Sequence, residues 1–189
     1  MKTPRIAASA TLLAVLAGCA GNPFAVRSLS AAQVADPARG VVLVSTGGVQ
    51  RCTATALWAP IYDAATRRPA QGSPIVSIDA TSDSDYPDHY GTLSTLSLPA
   101  GRYLITAQYA NPGADAVDAP PTIAFDVVAG QVTYIGELWR ASPCQNIVQI
   151  LLRDRYDRDV ALAGRLNPAL AAHPPAKALG EWVDAKHAR

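Results

Sequence analysis

The sequence predicts a mainly β protein: an antiparallel β-sandwich of seven or eight strands, followed by one or two short C-terminal helices. Short apolar stretches rich in β-branched residues follow one another over residues 40–153, separated by Gly, Pro, Asn and Asp. This pattern is typical of strands joined by turns. The connections are also too short to hold crossover helices, which favours antiparallel neighbours. A chain of 189 residues suits one domain with terminal extensions.

The first residues have the order of an export signal. Lys2 and Arg5 precede an uncharged stretch, 6–17, that ends in small residues. A charged, then apolar, then small-residue segment is typical of a signal peptide. The twelve residues of this stretch are too few for a membrane-spanning helix, which needs about 20. We therefore predict that residues 1–18 are a signal peptide that is removed.

The end of this stretch, Leu16-Ala17-Gly18-Cys19, resembles the lipobox of bacterial lipoproteins. The resemblance implies cleavage before Cys19, a diacylglycerol on its sulfur and acylation of the new amine, so that Cys19 anchors the chain in a lipid bilayer. More than one acyl chain makes such an anchor stable. Ala20 stands where lipoproteins of the inner membrane often carry Asp, which favours an outer-membrane anchor facing the periplasm. An ordinary secreted protein with a chance cysteine is the alternative.

Export leaves two cysteines, Cys52 and Cys144, in an oxidising compartment where disulfides persist. An even pair is what a disulfide needs. In the chain-entropy treatment, closing so long a loop stabilises the fold by about 4–5 kcal/mol. We predict a disulfide between them that joins the beginning of the sheet to its end. A zinc site is the alternative, but two cysteines without partner ligands supply half of one.

The mature chain divides into three predicted parts. Residues 19–39 are predicted to be the lipid anchor and a flexible tether, because they are rich in Ala, Ser and Pro and lack sustained periodicity. Residues 40–153 form the sandwich. Residues 154–189 form a helical segment and tail.

Alternation of apolar residues gives the clearest strands. Every second residue over 103–109 lies on one face, which is the period of two of a half-buried strand. The same alternation places Val132, Tyr134 and Leu138 on one face of a later strand. Trp139 then falls on the opposite face, where it is the candidate contact residue of a binding surface.

Beyond residue 153 the apolar spacing becomes helical. Asp154 and Arg158, and likewise Arg155 and Asp159, are four residues apart, which is typical of ion pairs on a helix surface. Pro168 ends this helix. The stretch KALGEWVDA predicts a second short helix, and both helices are expected to cover an open end of the sandwich.

Three stretches, LPAGRYLI, FDVVAGQVTYIGEL and RDRYDRDVA, resemble a group of small Gram-negative lipoproteins of unknown function. These proteins carry a single prealbumin-like or carboxypeptidase-regulatory-like sandwich. The resemblance covers about residues 40–170 and implies the same fold. It carries no catalytic residues, and the cysteine pair is not part of its pattern.

Charge and motifs argue against several functions. The chain has 16 basic and 15 acidic residues and no basic stripe, so no nucleic-acid partner is predicted. It contains no G-x-S-x-G, S-x-x-K, H-E-x-x-H or phosphate-binding loop. With only three histidines, the supply of general bases is poor. We predict a protein that is not an enzyme and that holds no cofactor.

One cluster could hold a metal ion: Asp83, Asp85, Asp88 and His89, in the stretch DSDYPDHY. Oxygen donors at alternate positions suit calcium, but a calcium loop needs Gly at its sixth position and Glu at its twelfth. Asp88 and Ser94 stand there instead. A solvated turn is the simpler interpretation of these residues.

These observations predict an envelope lipoprotein whose sandwich is a binding or structural module. Its partner is expected to be another envelope component, docked through an unpaired edge strand. The alternative is a small envelope enzyme, or a ligand or metal carrier, that uses the loop from Asp83 to His89. A deep pocket that converges on these side chains would favour the alternative.

Overall fold

The computed structural model describes residues 24–50, 52, 56–78, 84–109, 120–144 and 148–183. The elements in chain order are a 3₁₀ turn at Val26–Ser28, α1 (Ala31–Val34), β1 (Arg39–Gly48), β2 (Leu57–Asp63), β3 (Ile75–Ser77), β4 (Leu93–Pro99), β5 (Gly101–Thr106), β6 (Gln108–Tyr109), β7 (Thr122–Val127), β8 (Val132–Arg140), β9 (Ile150–Arg153), α2 (Tyr156–Leu166), α3 (Pro168–Ala172), β10 (Ala176–Lys177) and β11 (Glu181–Trp182). The predicted mainly β fold with short C-terminal helices is confirmed. Eight of these described strands have three or more residues. None of the described helices has the length and apolar character needed to cross a membrane.

The strands form two sheets. The first has the order β10-β8-β1-β4, with β9 also paired to β8, and the second has the order β11-β7-β5-β2-β3, with β6 also paired to β2. Most neighbours are antiparallel, but β1 and β8 are parallel, and so are β10 and β8. The antiparallel prediction is therefore wrong for the centre of the first sheet. It rested on connections between consecutive strands, whereas β1 pairs with a strand far along the chain.

The main apolar core lies between the two sheets. Leu57, Ile61 and Ile105 of the second sheet pack there with side chains of β1, including Val42 and Val44, and all five are at most 1% exposed. The alternation that predicted β5 is confirmed, because its alternate residues face this core. Both faces of β1 are buried, which explains why its sequence is continuously apolar rather than alternating.

The helices cover the outer face of the first sheet rather than an open end of the sandwich. A second apolar cluster contains Leu43 and Tyr134 from the sheet, and Leu162 and Leu170 from α2 and α3. The result is three layers: the second sheet, the first sheet and the helices. The prediction that the helices face their own core is right, and the predicted location at an end is wrong.

The N-terminal residues also belong to this outer layer. Val26, Leu29 and Val34 are buried in the second cluster. The side-chain amide of Asn167 donates hydrogen bonds to the carbonyls of Val26 and Leu29, at 2.9 and 2.7 Å. The predicted flexible tether is therefore wrong for residues 24–39, because these side chains bury apolar surface. Residues 19–23 lie outside the described residues.

The predicted second helix at the C-terminus is wrong over its described residues, 177–183. Residues 176–183 instead contain β10, paired to β8, and β11, paired to β7. Between them, the amide of Gly180 donates to the carbonyl of Ile135 at 2.9 Å. The segment therefore passes from one sheet to the other and pairs backbone groups of β7 and β8 that would otherwise need other partners.

The predicted disulfide between Cys52 and Cys144 is confirmed, with the Cα atoms 5.4 Å apart. Parallel strands end at the same edge of a sheet, and Gly48 at the end of β1 lies opposite Arg140 at the end of β8. Each cysteine follows its strand by four residues. The topology of the first sheet thus places the two thiols together.

Candidate functional site

A bulge in β8 decides which side chains face the helices. The register between β1 and β8 shifts between Leu43 and Ser45, and Gly136 has a φ of 114°, which a residue with a Cβ rarely adopts. The extra residue exchanges the faces of the strand. Leu138 therefore lies in the core between the sheets and not with Tyr134. The predicted grouping of these two residues is wrong.

Downstream of the bulge, Glu137 and Trp139 point toward the helical layer, on the same side of the sheet as Tyr134. Glu137 is wholly buried there and Trp139 is half-buried. The predicted placement of Trp139 opposite Tyr134 is wrong for the same reason. Gly136 in a strand was the sequence signal for a bulge.

The helical layer contains a buried carboxylate, Asp159 of α2, which has no exposed surface. Its oxygens accept hydrogen bonds from Ser45 Oγ at 2.5 Å, Tyr86 Oη at 3.0 Å and Tyr134 Oη at 2.9 Å. Arg158 Nε donates a further one at 2.8 Å. Four donors thus offset the cost of removing this charge from water.

The three titratable side chains that donate to Asp159 have raised pKa values. Burial, together with the negative charge of Asp159, raises the pKa of Tyr86 and Tyr134 well above the usual range, so both hydroxyls remain donors. Burial alone would lower the pKa of Arg158. The hydrogen bond to Glu137 and the charge of Asp159 outweigh that effect, and the pKa of Arg158 is raised.

Three arginines meet the second buried carboxylate, Glu137. Arg158 Nη2 donates to Glu137 Oε1 at 2.7 Å. Arg153 Nε lies 3.1 Å from Oε2, and Arg155 Nε lies 4.0 Å from it. Neither nitrogen has hydrogen-bond geometry toward Oε2. Arg158 therefore joins two buried carboxylates, whereas Arg153 and Arg155 lie beside one.

The ion pairs predicted along the surface of α2 are wrong. Asp154 accepts a hydrogen bond from Lys177 Nζ at 2.9 Å and not from Arg158. Asp159 points inward and binds Arg158 rather than Arg155. A spacing of four residues is compatible both with an ion pair on the helix surface and with a buried stripe. Because α2 packs against the first sheet, Asp159 lies in the buried stripe.

These side chains line an open cleft of about 350 Å³, which we call the arginine cleft. Its lining residues are Asp88, His89, Trp139, Arg153, Arg155 and Arg158. The side chains of Arg153, Arg155 and Arg158 are 26, 45 and 32% exposed. The guanidinium of Arg153 lies 4.1 Å from the centre of the Trp139 ring, a cation–π distance.

His89 also lines the arginine cleft. Its Nδ1 lies 2.8 Å from an Asp88 carboxylate oxygen, and this hydrogen bond holds the pKa of Asp88 below its usual range. Its ring stacks on Tyr86 with the centroids 4.4 Å apart. The side chain is 4% exposed, and Nε2 has no hydrogen-bond partner, although Glu137 Oε1 is 3.6 Å away.

The structure brings together some of the predicted site residues. Asp88 and His89 share the arginine cleft with Trp139, which lies 50 residues further along the chain. Asp85 does not join them, because its carboxylate accepts the amide hydrogen of Leu93 at 2.9 Å. Asp83 and the predicted lipidation site Cys19 lie outside the described residues. Among the described residues, no three His, Cys, Asp or Glu side chains are grouped to hold a metal ion.

Sequence reasoning missed the role of Glu137 and the three arginines. The stretch RDRYDRD was interpreted as a helix surface, although Asp159 falls within its apolar stripe, three residues after Tyr156 and four before Ala163. A charge within an apolar stripe is a signal for a buried polar network. Glu137, one residue after the glycine of a strand, had a similar signal.

Comparisons with known proteins add little to this description. No protein-family model matches the chain, and no curated protein matches it. Among solved structures, the chain is similar to a leucine-rich repeat protein from Bacteroides thetaiotaomicron VPI-5482, at 14% identity and a TM-score of 0.31. The match covers 67% of this chain and 16% of that one, and we draw no argument from it. By its fold, the protein is a mainly β sandwich with helices on the outer face of one sheet.

Proposed function

We propose that the protein is a lipid-anchored protein of the bacterial envelope whose sandwich binds another envelope component in the arginine cleft. One observation carries this proposal. Three separate parts of the chain, the turn at 84–91, β8 and the junction of β9 with α2, supply the cleft residues. Convergence of polar side chains from distant segments in one concave surface is typical of a binding site.

The cleft residues are held in place before any partner arrives. Arg158 is fixed by two wholly buried carboxylates, and Arg153 by the ring of Trp139. His89 is fixed by Asp88 and by its stacking on Tyr86. Groups that are already ordered lose less conformational entropy on binding, which favours affinity.

The sequence favoured an exposed edge strand as the docking surface, and the described edges support that less well. At the edge of β4, the amide of Thr95 donates to the carbonyl of Phe24 at 2.8 Å. β10 and β11 pair with β8 and β7. The outer strands that remain in the described sheets, β3, β9, β10 and β11, have two to four residues each. The cleft is therefore the better candidate for the docking surface.

The anchor rests on the lipobox-like stretch that ends at Cys19. Phe24 already lies against β4, so five residues separate the proposed lipid from the folded body. Five extended residues reach at most about 18 Å. The proposed arrangement therefore holds the sandwich close to the membrane surface.

Intact-mass measurement of the chain purified from membranes tests the anchor. We expect a mass that corresponds to a chain beginning at Cys19 with acyl groups added. The Cys19→Ser variant should keep residues 1–18 and gain no acyl mass. A wild-type chain with an intact N-terminus would contradict the anchor, and it would leave the cleft proposal standing.

Site-specific photo-crosslinking in cells tests the cleft. A photoreactive amino acid replaces Asp88, whose side chain is 76% exposed at the rim of the cleft. The matched control carries it at Arg165, an exposed position on α2 outside the cleft. We expect a discrete adduct from position 88 that is absent from position 165. Identical adduct patterns from both positions, or none from either, would contradict the proposal.

A further inference from the structure

We infer that the arginine cleft binds an oxyanion, namely the phosphate or carboxylate group of its ligand. The inference rests on the proposed function, because it treats the cleft as the binding site and names the chemistry that the site recognises. It depends on three observations: free guanidinium donors, an unpartnered buried histidine nitrogen beside them, and buried carboxylates that are out of reach of a ligand.

The first observation is that two arginines hold unused donors. Within the part of the chain that the structure describes, the Nη atoms of Arg153 have no hydrogen-bond partner, and no nitrogen of the Arg155 guanidinium has one. Arg102, by contrast, is engaged by both Asp126 and Glu181, at 2.9 and 2.8 Å. A guanidinium presents its donors as a planar fork that matches the two oxygens of a carboxylate or phosphate.

The second observation is a buried polar atom without a hydrogen-bond partner at the cleft, His89 Nε2. Buried polar groups nearly always have partners, and exceptions call for an explanation. His89 lines the cleft with a side chain that is 4% exposed. A ligand group or bound water in the cleft would supply the missing partner.

The third observation is the geometry of the negative charges. Glu137 and Asp159 have no exposed surface, so they orient the arginines from beneath and cannot themselves meet a ligand. Their contacts engage Nε and Nη2 of Arg158 but leave the outer nitrogens of Arg153 and Arg155. Asp88 is the exposed carboxylate of the cleft, and it is bonded to His89. Apart from the Asp88 carboxylate at the rim, the accessible polar groups of the cleft are therefore mainly guanidinium donors, which an anion satisfies and a cation does not.

Calorimetric titration of the detergent-solubilised full chain tests the inference with three probes. These are inorganic phosphate, glucuronate and a short-chain phosphatidylglycerol, with glucose as the neutral control. We expect binding of at least one anion and none of glucose. Binding of phosphate would indicate a small phosphorylated ligand, and binding of glucuronate would indicate an acidic sugar. Preferential binding of the lipid would indicate a lipid headgroup.

Two substitutions with the same charge change separate the cleft from general electrostatics. Arg155→Gln removes donors that have no partner in the described structure, so the fold should persist. Anion binding should weaken by about tenfold or more, the effect expected for loss of a charged hydrogen bond. Arg165→Gln, on the exposed side of α2, should bind as the wild type does. Arg153→Gln is a second cleft variant with the same expected loss.

Two results would overturn the inference. One is that the wild-type chain binds none of the three anions. The other is that Arg155→Gln and Arg165→Gln lose affinity equally, because binding would then reflect overall charge. An adduct from position 88 without anion binding would refute the oxyanion and keep the proposed function. Anion binding without any adduct from position 88 would refute the proposed function and keep the oxyanion.

Discussion

The two layers on either side of the first sheet bury different chemistry. Between the sheets lies a continuous apolar core that includes Leu57, Ile105 and Phe125. Between the first sheet and the helices, the apolar cluster surrounds two buried carboxylates, Asp159 and Glu137. Burial of apolar groups is non-directional, whereas a buried charge requires specific partners. The core between the sheets can therefore tolerate conservative substitutions, whereas the buried charges of the outer layer cannot. The arginine cleft opens at the margin of this outer layer.

The largest effect is expected from the disulfide, because it ties together β1 and β8, which each have a face in both layers. We expect the double variant Cys52→Ala, Cys144→Ala to lose about 4–5 kcal/mol of unfolding free energy, as measured by urea denaturation. The wild-type chain in a strong reductant should show the same loss. An unchanged urea midpoint in reductant would contradict the structural role of this link.

The next effect concerns the outer layer alone. Asp159→Ala leaves Arg158 and the hydroxyls of Tyr86 and Tyr134 without their shared acceptor, so we expect a loss of about 3–5 kcal/mol in urea unfolding. Asp157→Ala is the matched control, because Asp157 lies on the exposed side of the same helix. Its cost should stay below about 1 kcal/mol. Equal costs for the two variants would show that the buried network does not stabilise this layer.

The contrast between the layers also explains which parts of the structure could be predicted. Alternation of apolar residues predicted β5 and β7 because they face the apolar core on one side. It failed in β8, where one residue of bulge at Gly136 exchanges the faces. Periodicity likewise predicted α2, but it also predicted a helix for 177–185. In the described part of that stretch, pairing to the edges of β7 and β8 overrides local preference.

Of the candidate site, Asp88 and His89 were predicted as part of one cluster and Trp139 as a separate contact residue, and no pattern placed the three together. Their meeting depends on the bulge in β8 and on the parallel pairing of β1 with β8. Gly136 is a local signal for the bulge, but the parallel pairing is a long-range feature that no local pattern specifies. The disulfide was predicted from the inferred compartment, and that argument needed no topology.

A third prediction uses pH to separate the layers. The pKa values of Tyr86 and Tyr134 are raised in the folded protein, so their contribution to stability is complete below the unfolded pKa of about 10 and declines as the pH rises above it. We expect unfolding free energy to fall above that pH. Tyr86→Phe should cost about 1.5–3 kcal/mol near neutrality, the value of a hydrogen bond to a charged group.

The measurement is urea denaturation at a series of pH values, with tyrosinate absorbance recorded in parallel. The decline of unfolding free energy at alkaline pH should be shallower in Tyr86→Phe than in the wild type, because the variant lacks one of the hydroxyls whose pKa is raised by folding. Tyr90→Phe, at a residue that is 40% exposed, should leave the slope unchanged. Parallel slopes for the wild type and Tyr86→Phe would refute the assignment of this hydroxyl to the buried network.

The smallest effect is expected in the apolar core. Ile105 is 1% exposed and lies in β5 between Ile61 of β2 and Ile123 of β7. Ile105→Val removes one methylene, so we expect a loss of about 0.5–1.5 kcal/mol in urea unfolding. No titratable group takes part in this contact, so the cost should be the same at neutral and at alkaline pH. The contradicting result would be a cost for Ile105→Val that changes with pH in the same way as the cost of Tyr86→Phe. The two layers would then respond as one, because the first sheet would be transmitting the loss of the buried network to the core between the sheets.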